Sequence, residues 1–246
     1  MKKAVISLSG GLDSTCLLLK LLAEGYEVRA YSFKYGQKHS VELTKVTQNV
    51  RNLQLIGDFP VTHQIINLED VFSESASSLH QGGEAIPHGH YADENMKSTV
   101  VENRNVIFSA IIYGKALAWA NKTGENVNIF LGIHAGDGHG VYKDCTPESR
   151  MACDLAFKIS NWNSERVSYI APYENVFKQD VLQSGIEAMK ALQFDEERIQ
   201  YILKNTHSCY DPDSEGRACG KCGTCVERLE AFRILGMKDP AEYQQQ

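Results

Sequence analysis

The opening of the chain constrains the fold most. Residues 3–7 form a short apolar, β-branched run. The turn Ser9-Gly10-Gly11-Leu12-Asp13-Ser14 follows, and residues 14–24 then carry Leu17, Leu18, Leu21 and Leu22 on one helical stripe before Gly25. A buried strand that turns through two glycines into a helix is the first unit of a parallel βα layer. The pattern repeats with a strand over 27–33, a polar-rich helix over 40–53 and a third strand over 62–66. The order β-α-β-α-β predicts an α/β fold built on a doubly wound parallel sheet.

Between residues 70 and 98 the periodicity stops. This stretch is rich in Ser, Gly, His and Asn and contains Pro87, the composition of a disordered segment or of a lid over a site. A helix is predicted over 106–121 and a fourth strand over 128–132, running into Gly132-Ile133-His134-Ala135-Gly136-Asp137-Gly138. A helix over 147–160 begins with Pro147, and a fifth strand covers 167–170. Helices over 178–192, 195–205 and 224–235 complete the chain. Residues 1–175 then form the sheet domain, and residues 176–246 a C-terminal helical, cysteine-bearing region packed on it as one unit.

The 246 residues are 43% hydrophobic, enough for a substantial core. A net charge of −6 argues against a broad nucleic-acid surface but not against a small anionic ligand in a locally positive pocket. The apolar run Ala4-Val5-Ile6 is too short for a signal sequence, and no run approaches the ~18 apolar residues of a membrane span. The expected location is the cytoplasm.

Two glycines let the 9–14 turn bring backbone N–H groups against an anion, and the following helix points its positive end there. Ser9, Ser14 and Thr15 add hydroxyl donors. Asp13 would repel bare phosphate, so it is expected to act through Mg²⁺ or to cap the helix. The ending differs from the G-K-[ST] of a P-loop, and the glycine spacing differs from G-x-G-x-x-G. The same residues would also serve a plain capping turn. Position favours the anion cradle, because open α/β sheets bind ligands at the carboxyl ends of their strands.

Cys209, Cys219, Cys222 and Cys225 form C-x₉-C-x₂-C-x₂-C, with Gly220 and Gly223 between the last three. Four thiolates on tight turns suit a tetrahedral Zn²⁺. An iron–sulfur cluster is the rival, and zinc is favoured because no redox-partner motif accompanies the cysteines. Of the remaining Cys16, Cys145 and Cys153, Cys16 at a helix start is the one expected to have a lowered pKa.

Five motifs together resemble one family. They are SLSGGLDST at 7–15, FKYGQKHSVE at 33–42, NRNVIF at 103–108, YKDCTPE at 142–148 and THSCYDPDSEGRACGKCGTC at 206–225. They are similar, in order and nearly along the whole chain, to the 7-cyano-7-deazaguanine synthase family of the PP-loop (N-type ATP pyrophosphatase) superfamily. The resemblance implies an adenine-nucleotide hydrolase-like sheet and an ATP-dependent carbon–nitrogen ligase. In that chemistry a carboxylate is adenylated, ammonia displaces AMP to give an amide, and a second ATP converts the amide to a nitrile. It places ATP on Leu8, Ser9, Gly10, Gly11, Leu12, Asp13, Ser14, Thr15, Cys16, Leu17 and Leu18. It makes Asp13, Ser14, Arg104 and Lys178 catalytic, sets Tyr35, Gln37, Asn105 and Asp144 at the substrate, and puts zinc on the four cysteines. ATP, Mg²⁺ and Zn²⁺ are the implied cofactors, and a homodimer is implied. The chain departs from the family pattern at Glu102-Asn103, where Pro-Gly is usual, and at Gly140–Lys143, where Ser-Gly-Tyr-Pro is usual. These departures leave open a PP-loop relative acting on another carboxylate or amide, or on transfer RNA.

Overall fold

The computed structural model describes residues 1–90, 94–137 and 142–245. Five parallel strands form one sheet in the order β3-β2-β1-β4-β5. They are β1 (Lys2–Ser7), β2 (Tyr26–Lys34), β3 (Val61–Asn67), β4 (Val127–Phe130) and β5 (Val167–Ile170). Between them run α1 (Leu12–Ala23), α2 (Val41–Gly57), α3 (Arg104–Thr123) and α4 (Pro147–Ser160). After β5 come α5 (Lys178–Ala191), α6 (Glu196–Lys204) and α7 (Gly223–Ile234). The chain moves from β1 outward to β3, then crosses back to place β4 on the other side of β1. The order therefore reverses between β1 and β4, where a parallel sheet opens a crevice.

The central strand is short, and its middle, Ala4-Val5-Ile6, is apolar and fully buried because both faces are covered there. Ala4 and Ile6 enter one core, with α1, α5 and α6, while Val5 enters the other, with α3 and the four cysteines. The period-2 alternation of a strand thus feeds two cores from three consecutive residues. Helix α1 is buried almost all round, since Leu17, Leu18, Leu19 and Leu21 are each 0–1% exposed. It lies along α5, where a side chain in place of Gly185 would collide with Cys16 Sγ.

Three expectations change here. Cys16 is not an activated thiol: it is fully buried in the core, and burial, with Asp13 adding, pushes its pKa far up. Asp13 does not cap α1, because Gly11 is the N-cap and Asp13 stands in the first turn. The 70–98 stretch is neither disordered, where it is described, nor a lid. Two 3₁₀ turns, Asp70–Phe72 and Glu94–Thr99, flank it, and Leu79 is 0% exposed. Gln81 N–H donates to Gly36 O, Lys38 N–H to Leu79 O and Gly89 N–H to Lys221 O. The segment buttresses the loop after β2 and the cysteine turn from outside. Among the described residues, none from 70 to 100 lines the cavity at the carboxyl ends of the strands.

Helix α7 is held by one buried ion pair. Arg228 donates to both carboxylate oxygens of Asp239 (2.7 and 2.9 Å), to Thr206 Oγ1 (2.6 Å) and to Leu203 O (3.1 Å). Burial works against the Asp239 charge, but Arg228 outweighs it and holds the carboxyl below its ordinary value. Asp239→Asn is expected to cost about 3–5 kcal/mol at pH 7, because it leaves Arg228 buried without its counter-charge. The stabilisation is complete above the unfolded pKa of about 3.9. It is lost as pH falls through the depressed folded value. Chemical denaturation of wild type and variant from pH 7 to pH 3 checks this, and equal midpoints at pH 7 would refute it.

Candidate active site

One cavity opens at the carboxyl ends of the strands, at the reversal between β1 and β4. Ser9, Gly11, Asp13 and Ser14 form one end, and Gly132 and Asp137 follow β4. Lys178 stands at the start of α5, and Arg104, Asn105, Tyr142 and Asp144 close the far wall. A single cavity thus joins residues from five separate stretches of chain.

The glycine turn is shaped by contact with α2. Gly10 has φ +95°, and a Cβ there would lie 2.7 Å from Glu42 O, so both conformation and space require glycine. Ser9 Oγ accepts from Gly11 N–H at 3.2 Å and lies 3.1 Å from Ser14 Oγ. The helical ladder begins with Thr15 N–H to Gly11 O at 3.2 Å, and of the N–H groups before it Leu12 N–H donates to Ser208 Oγ at 3.3 Å. These hydroxyls and N–H groups ring the end of the cavity from which the positive pole of α1 projects.

Lys178 carries the main positive charge at this end. Its Nζ is 2.7 Å from Glu227 Oε2 and 3.3 Å from Asp13 Oδ2. Burial opposes the ammonium, but Asp13, Glu227 and Asp137 outweigh it and hold the group charged well above its ordinary range. Burial, then Asp13 and Glu227, push Asp137 up, with His134 and Lys178 pulling the other way. His134 is 1% exposed. Its Nδ1 accepts from Gly136 N–H, so the proton sits on Nε2, which lies 3.6–4.0 Å from Asp137, Glu227 and Asp13 without a hydrogen-bond partner. Asp13 Oδ1 is likewise buried and unpartnered. Three carboxylates against one lysine leave this corner acidic. That donor set fits a divalent cation with oxygen ligands, and a polyphosphate needs such a cation to come close.

The opposite wall is cationic and aromatic. Arg104, the first residue of α3, donates to Tyr35 Oη at 3.1 Å and to Asn105 Oδ1 at 3.3 Å. Burial opposes its charge, but Tyr35, Tyr210 and Asp144 hold the guanidinium fully protonated. Burial pushes the Tyr35 phenol up to about 12, so it remains a neutral donor. Asn105 Nδ2 reaches Cys145 Sγ at 3.4 Å.

The predicted residues divide into two sets. Ser9, Gly11, Asp13, Ser14, Tyr35, Arg104, Asn105, Asp144 and Lys178 line the same cavity. Leu8, Leu12, Cys16, Leu17 and Leu18 send their side chains into the core, and Gly10 and Thr15 are buried away from the cavity wall. Gln37 is 0% exposed and does not line the cavity. It braces the loop by accepting from Tyr35 N–H and donating to Phe33 O and Glu42 Oε1. The departures at Gly140 and Val141 lie outside the described residues.

Sequence reasoning overlooked several residues in or beside the cavity wall. Asp137 had a signal, since it follows the fourth strand. His39 and Glu42 fell within the quoted 33–42 motif. His207, pushed down to about 4 by burial, then by Lys45 and Arg228, follows α6 just before the first cysteine. Glu227 had no signal: it meets Lys178 only because α7 folds back over α5.

The four cysteines converge behind this wall. Cys209, Cys219, Cys222 and Cys225 are buried, unbridged, and present sulfurs that all lie within 4.8 Å of one another. Thiolates at about 2.3 Å around one tetrahedral ion stand roughly 3.8 Å apart, close to the 4.0 Å between Cys219 and Cys225. Backbone N–H groups of Asp211 and Cys219 donate to Cys209 Sγ, and those of Lys221 and Cys222 to Cys219 Sγ. Such donors favour the thiolate form a metal needs.

A parallel sheet with a glycine turn, a buried lysine and carboxylates at its switch point is the architecture of an α/β protein that handles an anionic ligand. Residues 3–236 match the family model described as queuosine biosynthesis protein QueC. A protein of Methanoregula boonei named 7-cyano-7-deazaguanine synthase is 40% identical over 242 residues, covering 98% of this chain and 99% of the relative. One of Colwellia psychrerythraea named 7-cyano-7-deazaguanine synthase 2 is 39% identical, covering 99% of each. The chain belongs to the QueC family. Among solved structures, NMN synthetase from Francisella tularensis overlays at TM-score 0.42 and 14% identity, over 96% of this chain and 78% of that one. That likeness carries no functional argument.

Cys222→Ser is expected to lower bound metal well below one ion per chain and to lower the melting temperature, because metal binding there is part of folding. Metal analysis alongside a melting curve tests this, and an unchanged melting curve would rule out a structural metal.

Proposed function

We propose that the protein converts 7-carboxy-7-deazaguanine and ammonia to 7-cyano-7-deazaguanine, consuming ATP and releasing AMP and pyrophosphate. The supporting observation is that one cavity joins the glycine turn and Lys178 to Arg104, Asn105 and Asp144, in a chain of the QueC family. A carboxylate is a poor electrophile, so its oxygen must first carry a good leaving group. Attack of that carboxylate on the α-phosphorus of ATP gives the acyl adenylate and gathers negative charge on departing pyrophosphate. Backbone N–H groups of the turn, the Ser14 hydroxyl and Lys178 stabilise that charge in a cavity partly closed to water. Asp13 with Asp137 would hold a Mg²⁺, which supplies the positive charge this corner lacks. Arg104 and Asn105 orient the adenylate, and Tyr35 and Asp144 face the substrate.

In this reading zinc sits on Cys209, Cys219, Cys222 and Cys225 in a structural role. The short sulfur–sulfur spacing favours a single ion, because a multi-iron cluster would hold its thiolates further apart. Residues 1–175 carry the nucleotide and residues 176–246 complete the site with Lys178. The working form is a cytoplasmic homodimer. Transfer-RNA thiolation would need reactive thiolates in the cavity. Burial, then Asp137 and Asp144, push the Cys145 thiol far up, and burial, then Asp144, raise Cys153. Both remain thiols at neutral pH, which disfavours that alternative.

Incubating the purified protein with ATP, ammonia and 7-carboxy-7-deazaguanine is expected to yield the nitrile and twice as much AMP. ATP turnover only with a different acceptor would overturn the substrate assignment. Lys178→Ala is expected to slow AMP release by about 100-fold or more. Wild-type turnover in that variant would remove Lys178 from the pyrophosphate end.

A further inference from the structure

One carboxylic acid in the cavity wall has no role in the steps above. Glu42 stands in the first turn of α2, beside the glycine turn, and is 8% exposed while lining the cavity. Its Oε1 accepts from Gln37 Nε2 at 3.0 Å, which fixes the head of the side chain. Among the described residues no Lys or Arg lies within ion-pair distance of it. The closest basic group is His39 Nε2, 3.8 Å away. The loop after β2 contributes Gln37, His39 and Tyr35 around it. Helix α3 contributes Arg104, which acts from further off and donates instead to Tyr35. Glu42 is therefore a buried carboxyl at the reaction cavity, anchored by a neutral amide and not committed to a permanent cation.

We propose that Glu42 is a catalytic residue that accepts a proton from the incoming nitrogen nucleophile. The proposal rests on the reading above, in which ammonia is a substrate. In neutral water ammonia is almost entirely ammonium, whose nitrogen has no free electron pair. One proton passes from ammonium to the Glu42 carboxylate, giving ammonia and the neutral acid. The freed pair attacks the carbonyl carbon of the acyl adenylate and forms the C–N bond. The C–O bond to the phosphate breaks, and AMP leaves with that electron pair. The nitrogen sheds its second proton to water, and Glu42 returns its own to solvent before the next cycle.

The other groups in or beside the cavity wall suit this step less well. Asp13 and Glu227 pair with Lys178, which is itself protonated. His39 is pushed down to about 3 by burial, then by Arg104 and His207, and is too weak a base. Burial pushes Glu42 up to about 8, with Gln37 and Arg104 pulling the other way, so it binds a proton far better than an ordinary carboxylate. Its basic form grows as pH rises through that value.

The test compares two nucleophiles: ammonium chloride, which must lose a proton, and hydroxylamine, already uncharged at neutral pH. AMP release is measured at pH 7 with ATP and 7-carboxy-7-deazaguanine. In Glu42→Gln, which keeps an acceptor for Gln37, the ratio of the ammonia rate to the hydroxylamine rate is expected to fall about 100-fold or more below wild type. Glu42→Asp is expected to recover part of it. A wild-type ratio in Glu42→Gln would overturn the proposal and leave the assigned reaction standing. Wild-type protein giving no ammonia-dependent AMP would overturn both. Should Glu42→Gln lose both rates through misfolding, Glu42→Asp decides: a lowered ratio supports the role and a wild-type ratio refutes it.

Discussion

The rest of the site depends on the close approach of the Gly10 backbone to the first turn of α2. A positive φ and a carbonyl at van der Waals distance leave no room for a side chain there. That contact sets how sharply the chain leaves β1, and hence where the first turn of α1 ends. It also fixes Glu42 at the mouth of the same turn. One backbone contact therefore positions both the N–H groups suited to phosphate and the acid proposed to serve the nucleophile.

Charge around the cavity is divided between its ends. Asp13, Asp137 and Glu227 surround Lys178 on one side, while Arg104 stands among phenols on the other. The first arrangement keeps a buried ammonium charged against its desolvation, at the cost of a surplus of carboxylate. The second keeps a guanidinium charged among phenols, with Asp144 acting from further off and no carboxylate within ion-pair distance among the described residues. A ligand carrying a polyphosphate at one end and a carboxylate at the other matches both, provided a divalent cation accompanies the polyphosphate.

The cysteine cluster is more than a remote staple. Cys222 is the N-cap of α7 and Cys225 lies in its first turn. Two residues on, Glu227 reaches Lys178, and the next residue, Arg228, locks the helix to Asp239. Gly89 ties the 70–90 segment to the same turn through Lys221. The helix that completes the cysteine cluster thus also sets the Glu227 carboxylate against Lys178 in the cavity wall.

The sequence by itself determined the local elements and the chemical inventory. Strand and helix periods, the two glycines, Pro147 and the cysteine spacing act over a few residues, so β1 to β5, the helices and the four thiols were legible. Asp13 and Ser14 stood out in the glycine turn, while Arg104 and Lys178 were singled out through the family resemblance; the cavity brings all four together. Tertiary structure alone decided the rest. It turned Cys16 inward, because α1 is covered on nearly every side. It made Gln37 a brace for its own loop, and it ordered the aperiodic 70–98 stretch, where described, through backbone bonds to distant turns. It brought Glu227 to Lys178 across 49 residues of chain and left Glu42 without a permanent cation. Burial and long-range pairing, which set the protonation of such groups, depend on what packs around them and leave no periodic mark in the chain.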